Sequence, residues 1–437
     1  MTSYLLERAL LLDGVHDNVL VEIADGRFTA IETGARASGV ERLAGLTIPG
    51  LANTHSHAFH RALRGRTQRE RGSFWTWREQ MYAVAERLDP DGYLALATAT
   101  FQEMVAAGIT CVGEFHYLHH QPDGRPYDDP NAMGLALVEA ARIAGLRITL
   151  LDTLYLSSGF GAPPQGAQVR YDDGSVQAWI ERVDGARVGD GALVAGALHS
   201  VRALPVEPAV ALAPLADWAE GRPLHVHLSE QVAENDGCLA AYGVTPARLL
   251  ADHGLLSPVT TLVHATHPSD DDIALIGKAG AFVSFCPTTE RDLGDGVGPS
   301  RRLTDAGAQL TLGSDSHAVI DLFEEMRAVE LDERLVSQQR GHWRAAELLD
   351  AATVAGHVSL GWDDAGAIAV GMRADLVTLD TASTRTAGTG ADEHTVVFAA
   401  VAEDVTQTIV EGRVVFRRSD REDIGRALEL AIGKVWP

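Results

Sequence analysis

Two patterns in the sequence predict an α/β fold, a (β/α)8 TIM-like barrel with a small β-sandwich domain built from both chain termini. The first pattern is an alternation of short apolar segments with amphipathic helical segments through the middle of the 437-residue chain. Such alternation is typical of parallel strands joined by helical crossovers. The second pattern is a set of short strands separated by turn residues at each end. We therefore expect a barrel over residues 49–365, and a sandwich built from residues 1–48 and residues 366–437, the latter ending in a closing helix.

The terminal segments have the character of β-strands. Turn dipeptides such as Asp13-Gly14 and Asp25-Gly26 separate the first of them, and turns of this kind commonly join neighbouring strands. The small, polar segment 381–393 predicts a surface loop, and the apolar spacing over 420–435 predicts the closing helix. The predicted terminal strands are residues 4–12, 18–23, 27–32, 47–48, 374–379, 395–400, 406–411 and 414–417.

Eight further segments are predicted to form the barrel strands. Helical patterns lie between them, for example over 91–107, 130–144 and 269–279. In a barrel of this type the active site lies at the C-terminal ends of the strands, so chemically active side chains are expected there. The predicted barrel strands are residues 51–54, 110–114, 147–153, 194–197, 224–228, 261–264, 282–285 and 309–313.

Charge and composition exclude several classes of function. A formal charge of −24 repels nucleic acid and anionic membrane surfaces, and no stretch is apolar enough over the length of a membrane span. No basic segment followed by an apolar run stands at the N-terminus, so we expect no signal peptide. The three cysteines are widely spaced and are expected to be free thiols in a reducing compartment. We expect a cytoplasmic enzyme that acts on a small molecule.

Potential metal ligands stand at the ends of several predicted strands. His55 and His57 follow the first strand, and two histidines at this spacing point the same way and can share one cation. His227 ends the fifth strand, His264 ends the sixth, and Asp315 follows the eighth. Because the strand ends of a barrel meet at one mouth, these side chains are expected to lie close together.

A carboxylate lies just beyond one of these histidines. Glu230 follows His227 by three residues, where the strand would turn into a loop. This segment can therefore offer a metal ligand and a proton-transfer group together. His225 shares the face of His227 but lies lower in the strand, so we expect it to support the site rather than to bind metal.

These residues resemble the amidohydrolase superfamily nearly end to end. Residues 49–57 (PGLANTHSH) are similar to its opening motif, and residues 371–377 (GMRADLV) match its terminal β domain. The resemblance implies that a single divalent metal, zinc, is bound. Binuclear members of the lysine-bridged type carry a lysine on a middle strand, and no lysine occurs between His57 and His227. The metal ligands that the resemblance implies are His55, His57, His227 and Asp315.

The resemblance also implies a division of roles in hydrolysis. Zinc lowers the pKa of a bound water to about 7 and so supplies a nucleophile. Asp315 would ligate the metal and accept the proton of the water, and Glu230 would carry that proton to the substrate nitrogen. His264 would polarise the carbon under attack or stabilise the developing charge. Alternatively, Glu230 is a solvated loop carboxylate and His264 a buried core histidine, neither with a role in catalysis.

A basic segment in this acidic chain points to an anionic substrate. Between His60 and Arg78, six arginines accompany one acid, Glu70. Guanidinium groups suit carboxylates, and we expect one or two of the six to reach the pocket while the others face solvent. Arg202, just after the fourth strand, is a further candidate for binding a substrate carboxylate, unless it forms a structural ion pair. The six arginines are Arg61, Arg64, Arg66, Arg69, Arg71 and Arg78.

Several segments together resemble one family, the formimidoylglutamate deiminases. These enzymes hydrolyse N-formimino-L-glutamate to N-formyl-L-glutamate and ammonia in histidine degradation. The resemblance implies a dicarboxylate substrate held by Arg78, Tyr117, His199 and Arg202. His60 departs from the family, which often has glutamine there, so its role stays open. The matching segments are residues 57–62 (HAFHRA), 74–79 (FWTWRE), 113–120 (GEFHYLHH), 199–203 (HSVRA), 225–231 (HVHLSEQ) and 286–290 (CPTTE).

Two alternatives remain open at this stage. A related deaminase could act on a heterocycle such as guanine or a substituted adenosine. A catalytically inactive scaffold could serve as an interaction protein, although such scaffolds generally lose their metal ligands. We expect the protein to form a homodimer.

Overall fold

The computed structural model describes residues 2–68 and 74–436, and within them it confirms the predicted fold class. Eight parallel strands form a nearly closed barrel, and strands from both termini form a separate mixed sheet. In chain order the strands are β1 (Thr2–Leu11), β2 (Gly14–Ala24), β3 (Arg27–Glu32), β4 (Glu41–Pro49), β5 (Leu51–Ser56), β6 (Ile109–His116), β7 (Arg147–Leu154), β8 (Ala192–Leu198), β9 (Leu224–Leu228), β10 (Thr260–His264), β11 (Phe282–Phe285), β12 (Gln309–Leu312), β13 (Leu376–Leu379), β14 (Val405–Val410) and β15 (Arg413–Arg417).

Helices connect the barrel strands and complete the C-terminal part of the chain. Several of them begin at a residue whose side chain caps the first turn, as Ser269 does with a backbone N–H of α8. The helices are α1 (Phe74–Ala85), α2 (Pro90–Ala106), α3 (Ala132–Ala144), α4 (Val176–Gly185), α5 (Ala209–Trp218), α6 (Val232–Tyr242), α7 (Pro246–Asp252), α8 (Asp270–Ala279), α9 (Pro287–Leu293), α10 (Ser300–Asp305), α11 (Leu322–Ser337), α12 (Ala345–Ala352), α13 (Val354–Ser359), α14 (Glu393–Phe398) and α15 (Arg421–Val435).

The barrel consists of β5 to β12, each hydrogen-bonded in parallel to the next. All eight predicted barrel strands are present, with ends that differ from the prediction by a few residues. The last strand returns to the first where Ser314 N donates to His55 O at 3.1 Å and His57 N donates to Asp315 O at 3.2 Å. Two of the segments predicted to carry metal ligands, those that contain His55 and Asp315, therefore form the closure of the barrel.

The terminal sheet has the order β15-β14-β13-β4-β1-β2-β3. Within it β1 and β4 are parallel, and the other pairs are antiparallel. Its own apolar core includes Leu6, Val21, Phe28, Leu376 and Ile409, all buried. Because β4 from the N-terminal part pairs with β13 from the C-terminal part, neither end of the chain can form this sheet alone.

One predicted terminal strand is wrong. Residues 395–400 were expected to extend as a strand because Val396, Val397 and Phe398 favour that conformation. They lie instead in and just after helix α14, which begins after Asp392. The Asp392 carboxylate accepts hydrogen bonds from the N–H groups of His394 and Thr395 at 3.0 and 3.2 Å. This N-cap and the burial of Val396 and Val397 against the main core outweigh the β-propensity of the segment.

Among the described residues, no helix combines the length and apolarity that crossing a membrane requires. The three cysteines, Cys111, Cys238 and Cys286, are buried and unpaired. Burial raises the pKa of Cys111 to about 12, so this thiol stays protonated.

Candidate active site

Four potential metal donors meet at the C-terminal mouth of the barrel. They are His55 at the end of β5, His57 just beyond it, His227 in β9 and Asp315 after β12, and their donor atoms lie within 4.8 Å of one another. His55 Nε2 is 3.0 Å from His227 Nε2 and 3.2 Å from Asp315 Oδ1. His57 Nε2 is 3.3 Å from the same oxygen. The structure thus brings the four predicted donors together.

Backbone carbonyls orient two of these imidazoles. His57 Nδ1 lies 2.9 Å from Phe115 O, and His227 Nδ1 lies 2.8 Å from His199 O. Because a carbonyl oxygen only accepts, each Nδ1 donates and each Nε2 keeps its lone pair for a metal. Burial and the neighbouring His55 lower the pKa of His57 to about 3, so the ring is neutral at pH 7. Neutral imidazoles and a carboxylate with converging lone pairs fit a divalent cation.

His264 lies beside the donor cluster and is held by a carboxylate. Its Nδ1 is 3.3 Å from Glu290 Oε1, and its Nε2 is 3.8 Å from Asp315 Oδ2. Burial lowers the pKa of His264, but Glu290, Glu230 and Asp315 outweigh it and raise the pKa to about 10. A protonated imidazole in this place can donate to a substrate atom that gains negative charge.

Glu230 is carried on the turn that follows β9. The preceding residue, Ser229, has a φ of +50°, which residues other than glycine seldom adopt. The Ser229 N–H donates to Glu234 Oε1 at 3.0 Å and so fixes this turn. Glu230 lines the same cavity as His227 and His264. Its carboxylate can therefore exchange protons with a bound molecule.

A cavity of about 360 Å³ joins the donor cluster to the predicted substrate-binding residues. This volume lies in the range of small-molecule sites. His57, His227 and Asp315 contribute to its wall, as do the acid–base residues Glu230 and His264. All four residues predicted to hold carboxylates also line it, and these are Arg78, Tyr117, His199 and Arg202.

Arg78 reaches the cavity from α1 and is fixed by polar neighbours. Its Nε donates to Tyr82 Oη at 2.5 Å. In the amide orientation that satisfies its neighbours, the Gln168 oxygen accepts from Arg78 Nη2 at 3.0 Å and from Tyr155 Oη at 2.7 Å. Arg78 and Arg202 both line the cavity beside Tyr82 and Tyr155, where their positive charges oppose the effect of burial, which raises the pKa of the two tyrosines. The two guanidinium groups therefore share one part of the cavity, which suits a substrate with more than one carboxylate.

Arg202 follows β8 and is paired with two carboxylates. Its Nη2 is 3.4 Å from Glu230 Oε2, and its Nε is 3.3 Å from Glu234 Oε2. Burial lowers the pKa of Arg202, but Glu234 and Glu230 raise it above the ordinary value. The arginine thus forms an ion pair and also lines the cavity, so the two interpretations of its role are compatible.

Tyr117, His60 and His199 form the wall nearest the donor cluster. Tyr117 Oη lies 3.0 Å from His60 Nε2, and the Tyr117 ring packs edge-on against His57 with centroids 5.3 Å apart. Burial raises the pKa of Tyr117 well above its usual value, so the hydroxyl remains a hydrogen-bond donor. His60 lines the cavity and contacts Tyr117, so it can replace a glutamine as a polar neighbour of that hydroxyl.

Three of the four described arginines of the basic segment lie outside this cavity. Arg61 and Arg64 pair with Glu103 at 2.5 and 2.6 Å, and Arg66 lies 5.3 Å from the ring of Trp436. Arg69 and Arg71 belong to the residues that the structure leaves undescribed. Among the described arginines of the segment, Arg78 lines the cavity, in line with the expectation that one or two would do so.

Other histidines lie apart from the donor set. His225 Nε2 is 3.3 Å from a backbone carbonyl of α13, in keeping with a supporting role. His116, His119 and Asp152 form a second buried group with closely spaced donor atoms. There the Asp152 carboxylate accepts two hydrogen bonds from Arg182, each of 2.8 Å. This carboxylate is therefore already engaged by a cation of the protein itself.

The sequence interpretation missed several residues of the site. Tyr82 lies one helical turn after Arg78, and Tyr155 directly follows a barrel strand, so spacing could have indicated both. Glu234 carries no signal beyond being an acidic residue in the first turn of α6, and Glu290 ends the matching segment 286–290, for which no role of this carboxylate is implied. Gln168 lies in a short 3-10 helix between β7 and α4, where no motif marks it.

A barrel of this architecture with such a donor set and acid–base pair at its mouth defines a metal-dependent hydrolase. The family model described as Amidohydrolase family matches residues 46–415. A second model, described as Formimidoylglutamate deiminase HutF, N-terminal domain, matches residues 5–45. The chain belongs to the formimidoylglutamate deiminase family, within the amidohydrolases.

Individual relatives are similar to the chain over most of its length. The chain is 37% identical to the formimidoylglutamate deiminase of Pseudomonas aeruginosa, over 100% of both chains. It is 29% identical to the 5-methylthioadenosine/S-adenosylhomocysteine deaminase of Shouchella clausii, over 91% of this chain and 89% of that one. Among solved structures, an amidohydrolase from Brucella melitensis superposes with a TM-score of 0.89 and 33% identity over 100% of both chains.

Proposed function

We propose that the protein hydrolyses N-formimino-L-glutamate to N-formyl-L-glutamate and ammonia, a reaction of histidine degradation. The observation that carries the proposal is the shared cavity, in which a metal donor set and an acid–base pair lie together with Arg78 and Arg202. The identity to the Pseudomonas aeruginosa enzyme supports the same substrate. Two guanidinium groups suit the two carboxylates of this substrate.

We propose zinc as the metal, held by His55, His57, His227 and Asp315. Three imidazole nitrogens and one carboxylate oxygen are ligands that zinc prefers. A bound zinc would lower the pKa of a water to about 7 and so supply the nucleophile, besides polarising the imino nitrogen. The neutral state of His57 at pH 7 supports this assignment because only an unprotonated imidazole can bind a metal.

The side chains of the cavity would then move two protons. Water adds to the formimino carbon, and Asp315 or Glu230 accepts the proton that the water loses. Glu230 transfers this first proton to the imino nitrogen of the formimino group, which becomes a neutral amine bonded to a tetrahedral carbon. His264 donates to the oxygen of this carbon while charge develops there. Glu230 then passes the second proton, which comes from the hydroxyl of the tetrahedral carbon, to this amine, so that the C–N bond breaks, ammonia leaves, and the C–O bond becomes the carbonyl of the formyl group.

The substrate would be oriented by its two carboxylates. Arg78 and Arg202 are the cations for this purpose, and Tyr117 and His199 add neutral polar contacts in the same cavity. Binding energy from these remote groups can position the formimino carbon beside Glu230 and His264.

Ammonia release from zinc-loaded protein tests the proposal. N-formimino-L-glutamate should be turned over, whereas guanine and 5-methylthioadenosine should release little ammonia. The second of these rivals deserves a direct comparison because a relative named for that activity is 29% identical. Faster release from either heterocycle would overturn the substrate assignment, and release from none of the three would overturn the proposed function.

We also propose a homodimer in the cytoplasm, with the domain boundaries near residues 48 and 365. The unpaired state of all three cysteines supports a reducing compartment. Exposed apolar side chains on α11, those of Leu335 and Val336, offer a surface for a second copy. Analytical ultracentrifugation of the purified protein tests the dimer.

A further inference from the structure

Glu234 connects the turn that carries Glu230 with the substrate-binding residue Arg202. It lies in the first turn of α6 and is 1% exposed. One carboxylate oxygen, Oε1, is 3.0 Å from the backbone nitrogen of Ser229. The other, Oε2, is 3.3 Å from Nε of Arg202. A single buried side chain thus contacts the turn that carries Glu230 and the arginine at the substrate end of the cavity.

The contact with Ser229 stabilises an unfavourable backbone conformation. Ser229 has a φ of +50° and directly precedes Glu230. A conformation of this kind persists only where the surrounding structure holds it. The hydrogen bond from the Ser229 N–H to the charged Glu234 oxygen supplies such a restraint. Without it, the turn could relax and carry the Glu230 carboxylate away from the cavity.

The contact with Arg202 orients a planar group. Arg202 Nε donates to Ser200 Oγ at 3.2 Å and forms an ion pair with Glu234 Oε2, and because a guanidinium is rigid, restraining this edge also restrains the directions of its two Nη groups. Nη2 lies 3.4 Å from Glu230 Oε2, so the same arginine faces both acidic residues. Burying a carboxylate is costly unless it is paired, and Arg202, with a side chain 24% exposed, provides the pairing from the cavity wall.

We propose that Glu234 is a positioning residue, which acts through Ser229 and Arg202 to hold Glu230 and the substrate-binding guanidinium in one arrangement. The inference rests on the proposed function, in which Glu230 moves protons and Arg202 binds a carboxylate. Glu234 itself contacts neither the donor cluster nor the reacting atoms in this scheme. It couples recognition of the substrate carboxylate to placement of the proton carrier.

Two substitutions separate the two contacts. Glu234→Gln keeps an oxygen that can accept from Ser229 N but removes the charge beside Arg202. Glu234→Ala removes both contacts. We expect Glu234→Gln to lower kcat/KM about tenfold, mainly through KM, a size usual for directly coupled neighbours. In an Arg202→Met background the same change should lower kcat/KM less than about twofold, because the guanidinium that Glu234 contacts is absent.

Glu234→Ala should go further than Glu234→Gln. It should also lower kcat, in the wild-type and the Arg202→Met backgrounds alike, because the turn before Glu230 loses its anchor. The zinc content of all variants should equal that of the wild type. Hydrogen exchange at the peptide that contains Ser229 should be faster in Glu234→Ala and unchanged in Glu234→Gln.

Glu330→Gln is the matched control. Glu330 is fully buried, pairs with Arg334 at 2.6 Å and accepts from the backbone nitrogen of Trp343 at 2.7 Å, outside the cavity lining. Its substitution should change thermal stability without changing KM or kcat. A kinetic loss as large as that of Glu234→Gln would show that any buried carboxylate has this effect and would overturn the proposal.

The remaining outcomes are also decisive. Equal losses for Glu234→Gln in the two backgrounds, or losses that follow zinc content alone, would reduce Glu234 to a structural residue. If the wild type releases no ammonia from N-formimino-L-glutamate, the proposed function fails, and hydrogen exchange still tests the positioning role. Exchange at Ser229 that is the same in Glu234→Ala and the wild type would overturn that role.

Discussion

At the residue scale, the site depends on backbone conformations that side chains rarely tolerate. Ser229, His264 and Asp315 have φ values of +50°, +71° and +39°. All three lie at the C-terminal ends of barrel strands, where the chain must turn sharply while it presents a functional group. Strain of this kind concentrates at functional sites. These strained conformations lower the stability of the fold, and in return they orient the side chains of the site.

Glu230→Gln tests the proton carrier directly. The amide keeps the size of the carboxylate but cannot accept and release a proton, so we expect kcat to fall by about 10²- to 10⁴-fold. Zinc content should stay at the wild-type level, because Glu230 lies outside the donor set. Ammonia release and metal analysis on the same preparation measure both quantities. A rate near that of the wild type would exclude Glu230 from proton transfer.

Residues of the site could be predicted from the sequence where a motif coincides with the end of a predicted strand. His55, His57, His227 and Asp315 each follow an apolar strand-like segment, so their meeting point follows from barrel geometry. Glu234 was not predictable in this way, because its role depends on a hydrogen bond to the backbone of Ser229. Contacts of that kind require the three-dimensional path of the turn.

At the element scale, strands β5, β11 and β12 approach closely beneath the donor cluster. A Cβ atom on Gly313, just after β12, would lie 2.7 Å from His55 Cβ and 2.9 Å from Cys286 Sγ. Real side chains do not pack at such distances, so the strands could not keep this spacing. A glycine at this position lets the first and last strands of the barrel meet.

Gly313→Ala should therefore disturb the metal donors through the backbone. We expect a loss of about 1–3 kcal/mol in the free energy of unfolding, as for other overpacked sites, and weaker zinc binding because His55 must shift. Urea unfolding and competition with a chelator measure the two effects. Gly189→Ala is the control, since the new Cβ would meet no atom within 4 Å and the residue has no positive φ. Equal behaviour of the two variants would contradict the close-approach argument.

Elements were predictable where periodicity and burial agree. The eight barrel strands are short and largely buried on both faces, as parallel strands covered by helices must be. Helix α14 was mistaken for a strand because Val396, Val397 and Phe398 are β-formers. The N-cap at Asp392 and the packing of Val396 and Val397 stabilise the helix instead. The residues against which they pack come from distant parts of the chain, so the local sequence does not reveal this packing.

At the scale of the whole molecule, a buried ion pair joins the barrel to the terminal sheet. Arg147 at the start of β7 forms two hydrogen bonds to Asp375, just before β13, and one of them is 3.1 Å long. Both side chains are almost completely buried. Asp375 Oδ1 also accepts from the backbone nitrogen of Glu411 at 3.0 Å. The pair therefore links the two parts of the fold at one point.

Arg147→Met should destabilise the protein by about 3–5 kcal/mol, because it leaves the Asp375 carboxylate buried without its partner. Burial raises the pKa of Asp375, but Arg147 outweighs it and holds the pKa below the ordinary value. The contribution of the pair is thus complete above about pH 4 and is lost as the pH falls through the lowered pKa. Urea unfolding at pH 7 and at lower pH measures both effects.

Arg142→Met serves as the comparison for this prediction. Arg142 pairs with Glu139 at 2.7 Å on the exposed face of α3, and its side chain is 70% exposed. Solvent screens such an exposed pair, so its loss should have little effect on the free energy of unfolding. Similar losses for the two variants at pH 7 would mean that burial of the Arg147 pair adds nothing.

The closure of the barrel determines when, during synthesis of the chain, the four metal donors can meet. The donor atoms belong to residues near the beginning, middle and later part of the chain, and His57 N meets Asp315 O only when β12 is in place. During synthesis the early segments emerge and begin to fold first. A nascent chain that already exposes His55 and His57 still lacks His227 and Asp315, so it cannot yet form the complete site. The four donors of the proposed metal site can therefore come together only after translation has passed the last barrel strand.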